Sequence, residues 1–142
     1  MADQAGPVGG RTWGIVVLAL WAVVLVLVII TSLLQVTVSA ELYRSPALVW
    51  LVYVIFSAFA LAFGFSAFGL WQRYNWGRVL FLGAIGVWSV LNLIFLFRPD
   101  LLVETAPPHS TRNIIFSVAR HLVGFILPLW YLNLAHIKSM FR

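Results

Sequence analysis

Four long apolar runs, at 13–34, 46–71, 78–97 and 112–134, alternate with short stretches that hold most of the charges. A helix needs about 20 apolar residues to cross a hydrocarbon core. The pattern therefore predicts an all-α transmembrane four-helix bundle, one domain over residues 1–142, with sequential helices as antiparallel neighbours. A signal peptide is the competing reading of the first run, since Val38-Ser39-Ala40 resembles a cleavage site. A signal's apolar stretch is about 7–15 residues and follows a denser basic segment, so the run reads as a membrane helix. Residues 1–12, rich in glycine, read as a flexible or partner-held tail.

Within the second run, Pro46 occupies a favourable first-turn position. Ser57, Ala60, Gly64 and Ala67 share one face, and Ala58, Ala62, Ser66 and Gly69 share another. Small residues let helix backbones approach closely in lipid, so this helix is expected to touch two neighbours. The first run has few small residues and is expected at the bundle edge. The connection 72–77 is tight, which makes the second and third spans antiparallel. Trp71, Tyr74 and Trp76 form an interfacial belt there, with Arg73 and Arg78 at the same level. In the third run Gly83, Gly86, Ser89 and Asn92 recur at every third position, a ridge suited to crossing a neighbour. The outer loop 98–111 contains Pro99, Pro107 and Pro108, with room for one turn at 100–104 and a helix cap at Ser110 or Thr111. No heptad or internal repeat stands out.

The fourth run differs. At 100° per residue, Asn113, Ser117, Arg120, His121, Gly124, Pro128 and Tyr131 fall within an arc of roughly 100°. Lipid cannot satisfy an arginine, so this stripe is expected to face protein or a water-lined cavity. Pro128 removes a backbone donor and frees the Gly124 carbonyl, which predicts a kink.

Composition sharpens the class. The 142 residues are 63% hydrophobic and 9% charged, against about 25% charged in soluble domains. The absence of cysteine excludes disulfides, thiolate metal sites and S-acylation. The net charge of +5 sits beside apolar spans, so orientation and anionic lipid explain it better than nucleic acid. With four spans, Arg11, Arg73, Arg78, Lys138 and Arg142 share one side with Asp3, while Arg44, Arg98 and Arg112 face Glu41, Asp100 and Glu104 on the other. The positive-inside rule then places both termini in the cytoplasm, in a cell inner membrane.

Depth suggests a polar cluster in the outer half. From the outer end of its span, Arg120 lies about 12 Å down, Asn92 about 9 Å and Tyr53 about 10 Å. Ser89 and Ser117 fall nearby, with His121 beside Arg120. Three readings apply. Arg120 pins helices together or extends toward headgroups. Alternatively the cluster binds an anionic headgroup, a quinone-like molecule or a small anion, with Arg120 as donor and His121 titrating. Third, His121 ligates a haem or pigment; bis-histidine ligation is disfavoured, because His109 and His136 lie at other depths. Enzyme signatures are absent: there is no HExxH, Walker, dinucleotide or GxSxG motif, and no carboxylate inside a span.

Two stretches, Gly69-Leu70-Trp71 with Trp76-Gly77-Arg78, and Tyr131-Leu132 with Ile137-Lys138 and Phe141, resemble a pattern in uncharacterised small bacterial four-span integral membrane proteins. The resemblance covers the second half of the chain and implies a bacterial inner-membrane origin without an assigned activity. The expected function is a non-catalytic accessory or scaffold subunit of a larger bacterial membrane complex, of respiratory or photosynthetic type. Its partners would be membrane lipids and other integral membrane subunits, with no nucleic acid, metal or cofactor. The alternative is a lipid-, quinone- or pigment-binding protein using the Arg120–His121 cluster. Helix packing is assigned to Ser57, Ala60, Gly64, Ala67, Gly83, Gly86 and Gly124.

Overall fold

The computed structural model describes residues 13–38, 45–98 and 111–141. Four long helices, α1 (Trp13–Val38), α2 (Pro46–Trp71), α3 (Asn75–Phe97) and α4 (Thr111–Asn133), are followed by the short α5 (Ala135–Lys138). All four are long and apolar enough to cross a bilayer. The chain is an all-α four-helix, multi-pass membrane protein. The outer-loop turn and cap expected at 100–104 and Ser110 lie outside the described residues, as does the side chain of Thr111.

Sequential helices pack on one another, α1 on α2, α2 on α3 and α3 on α4. Thus α2 does touch two neighbours. Ser45 caps it, its hydroxyl accepting from the Leu48 N–H at 3.4 Å, and Pro46 fills the first turn. The α2–α3 connection is shorter than expected, only residues 72–74, because Trp76, Gly77 and Arg78 already belong to the first turn of α3. Three hydrogen bonds close the end of α2. The Gln72 N–H donates to the Phe68 carbonyl at 3.0 Å, the Arg73 N–H to Leu70 at 3.1 Å, and the Tyr74 N–H to Gly69 at 2.8 Å. This is a Schellman closure with Arg73 in the left-handed region, φ 60°, where glycine is usual. A β-carbon built on Gly69 falls 2.5 Å from Gly77 Cα, and one on Gly77 falls 2.5 Å from Gly69 Cα. The two backbones touch, and only glycine at both positions permits it.

A periodicity missing from the sequence reading emerges in α1. Its buried residues Ile15, Ala22, Ile29 and Val36 are spaced seven apart, with Ala19 also buried. A seven-residue interval keeps one seam on a partner helix, the geometry of left-handed, coiled-coil-like packing. In a run made almost wholly of Val, Leu and Ile, no polar residue marks that seam.

The core gathers at the end of the bundle that carries the 72–74 turn, the turn end. Phe63, Ala67, Leu70, Phe81, Ala84, Ile85, Leu132 and Ile137 are buried there with Ile15, Ala19 and Ala22. Midway along, Trp88 lays its ring edge-on to Phe56 and Phe59, at 5.3 and 5.1 Å between centroids. Toward the opposite, far end, α4 is thinly covered: among its described side chains only Pro128 and Leu132 are buried.

The small-residue faces follow the same gradient. Ser66, Ala67 and Gly69 near the turn are buried, whereas Ser57, Ala58 and Gly64 are exposed. Gly86 meets Phe125 of α4, but a β-carbon on Gly64, Gly83 or Gly124 would meet nothing within 4 Å. The packing role assigned to these three glycines is therefore not met among the described residues. Gly64→Ala and Gly83→Ala are expected to leave stability unchanged or raise it by up to about 1 kcal/mol, the helix-propensity gain. Thermal unfolding in detergent checks this.

Candidate functional site

Two arginines frame the functional question, one buried at the turn end and one uncovered in mid-span. Arg78 lies in the first turn of α3, and the 72–74 turn aims it beneath the end of α4. Its side chain is 7% exposed. Nη1 donates to the Leu132 carbonyl at 3.3 Å, one of the last carbonyls of α4, which has no intrahelical donor to meet. A cation at a helix C-terminus also meets a favourable dipole. The Phe141 ring lies 5.9 Å from the guanidinium carbon, within cation–π range. Nε is buried without a hydrogen-bond partner.

This arginine was expected in the interfacial belt, and the structure puts it inside. The same geometry draws in the C-terminal segment. Leu134, at φ −56° and ψ 133°, breaks the helix, and α5 turns back to bury Ile137 while His136 and Lys138 stay exposed. The C-terminal segment is thus anchored, with His136 and Lys138 on its outer side. Arg78, Leu132, Ile137 and Phe141, which carry the two sequence stretches singled out above, converge at this end of the bundle. The clue in the sequence was the pair of glycines flanking the turn, which brings α2 and α3 close enough to bury residue 78.

The expected outer cluster is dispersed. Tyr53 of α2 pairs through its hydroxyl with Thr37 of α1. Asn92 donates to the Trp88 carbonyl at 2.8 Å, within α3. His121 Nδ1 meets the Ser117 carbonyl at 2.8 Å, within α4. Ser89 is buried, while Ser117 and His121 are half-buried. Local carbonyls compete successfully for these side chains, one helical turn away. Arg120 is exposed and has no hydrogen bond or ion pair with any described residue. The shelter expected from neighbouring spans is missing, because α4 turns Ile114, Ser117, Val118, His121 and Phe125 inward and leaves Arg120 outside that face.

Arg120 instead lies on a cleft between α1 and α4, with a volume of about 520 Å³. From α1 come Gly14, Val17, Leu18 and Trp21, and from α4 Val123, Gly124, Leu127, Pro128, Trp130 and Tyr131. None of the α1 side chains carries an acceptor for a guanidinium, since the indole N–H only donates. Tyr131 closes the turn end of the cleft. Its ring lies so close to Gly14 that an added β-carbon would sit 2.2 Å from Cζ. The cleft is therefore an apolar slot with a single cation on it. Among the described residues no group of three or more His, Asp or Glu could hold a metal ion. Comparison of the chain with protein-family models, curated proteins and solved structures finds no match.

Proposed function

We propose that this protein is a non-catalytic subunit of a larger bacterial inner-membrane assembly, with both termini in the cytoplasm. The observation that carries the reading is Arg120, uncovered in the middle of α4. An arginine at that depth costs about 2.5–3.5 kcal/mol even on the mildest scale, and this one has no hydrogen bond or ion pair with any described residue. Open grooves at Gly64, Gly83 and Gly124 support the same conclusion, because close-packing glycines with nothing against them suit helices from elsewhere. The cytoplasmic assignment of the termini rests on the charge asymmetry between the two sides.

The test is purification from native membranes in mild detergent. A partner polypeptide is expected to coelute, and Arg120→Leu is expected to lose it. The same variant should leave the unfolding free energy of the isolated chain within about 0.5 kcal/mol of wild type, as for a surface substitution. A single species with no partner would sink the subunit reading. The ligand-binding alternative draws on the apolar cleft, and an absorption spectrum with lipid mass spectrometry on the purified protein decides it.

A further inference from the structure

We propose that the α1–α4 cleft seats one transmembrane helix of a different polypeptide, and that this helix carries an aspartate or glutamate at the depth of Arg120. The proposal rests on the subunit reading and adds the chemistry of the partner. Along α1 the cleft runs from Gly14 to Trp21 and along α4 from Arg120 to Tyr131, about 10 and 16 Å at 1.5 Å per residue. That is about two to three helical turns. The wall is apolar, as a neighbouring span requires, and Gly124 leaves open space where an incoming backbone can approach. Arg120 lies about 14 Å from one end of α4 and about 20 Å from the other. A carboxylate at the same depth on the incoming helix neutralises it without distorting the bilayer.

Charge decides between occupants. A second copy of this chain cannot supply the counterion, because Asp3, Glu41, Asp100 and Glu104 all fall outside its four spans. A twofold contact through α4 would instead set Arg120 near its own copy. A lipid fits no better. From the turn-end leaflet a lipid brings its methyl end, and not its phosphate, to the guanidinium, and from the far leaflet its phosphate has to sink toward a residue whose Cα lies about 14 Å below the end of α4.

The chain has no cysteine, so Ser139→Cys at the exposed C-terminal end gives one fluorophore site. The labelled full chain is placed in phosphatidylcholine vesicles with an acceptor-labelled polyleucine peptide of about 22 residues bearing one central glutamate. Energy transfer to this peptide should half-saturate at about tenfold lower peptide-to-lipid ratio than to a glutamine version, which corresponds to about 1.4 kcal/mol. Arg120→Gln should erase that preference. Gly124→Leu, which adds bulk in open space and keeps the arginine, should abolish transfer to both peptides. Equal binding of the two peptides, or a preference that survives Arg120→Gln, overturns the proposal. So does transfer between two copies of the protein that Gly124→Leu removes, which makes the occupant a second copy. Displacement of the glutamate peptide by brominated phosphatidylglycerol, with quenching of Trp21 and Trp130, overturns it in favour of lipid. A partner copurified from native membranes while the peptides show no preference sinks only this seat, whereas absence of any partner sinks the subunit reading itself.

Discussion

Gly77→Ala is expected to cost more than about 2 kcal/mol, the range of overpacking at a site that cannot relax. The clash is between backbones: the new methyl would fall 2.5 Å from both the Cα and the carbonyl carbon of Gly69, and 2.8 Å from the Leu70 nitrogen. No rotamer change relieves it, so α2 and α3 must separate at the turn. Because Phe63, Leu70 and Phe81 are buried close to that crossing, the separation loosens the best-packed part of the bundle. Thermal unfolding in detergent, set beside Gly64→Ala and Gly83→Ala, isolates the effect. The three substitutions share the same propensity gain and differ only in what the methyl meets. Equal midpoints for all three would show that the backbones do not touch.

The second large effect is at Arg78. Arg78→Ala should destabilise by about 2–4 kcal/mol, combining a lost charge-assisted hydrogen bond, an orphaned carbonyl and lost side-chain volume. Arg78→Met retains most of the volume and should recover about half of that, because apolar replacement of a buried charge also removes its desolvation cost. A local consequence distinguishes this from general loosening. The Leu132 carbonyl and the Phe141 ring hold the C-terminal segment to α3 through the guanidinium. Trypsin should therefore cut after the exposed Lys138 faster in Arg78→Ala than in wild type, before the bundle unfolds. Cleavage at the wild-type rate would mean that Ile137, the buried residue of α5, holds the segment unaided.

The two arginines also show why burial was hard to infer. Arg78 reads as an interfacial cation from its neighbours Trp76 and Tyr74, yet the Gly69–Gly77 contact draws it inward. Arg120 reads as a sheltered cation because it shares an arc with Ser117, His121 and Gly124. The structure divides that arc: His121 turns toward the bundle and Arg120 falls just outside it. An arc of 100° is wide enough for one edge to face a neighbour and the other an open cleft. The supposed cluster failed for a related reason. Asn92 and His121 each have a carbonyl within reach one turn back on their own helix, so depth alone gives no cause for them to meet.

What the sequence determined by itself is the number of spans, their approximate ends and the antiparallel turn. These follow from the length of apolar runs and the lack of solvent for backbone groups in lipid, and both are local properties. It could not determine which face of each helix is covered. In soluble proteins a polar face marks the outside, but in lipid the outside is as apolar as the inside, so the seven-residue seam of α1 left no trace among Val, Leu and Ile. Only the tertiary structure decided that packing is tight around the 72–74 turn and open between α1 and α4. That difference depends on where two glycine backbones meet and on how α4 is rotated, and both arise from contacts far apart in the chain.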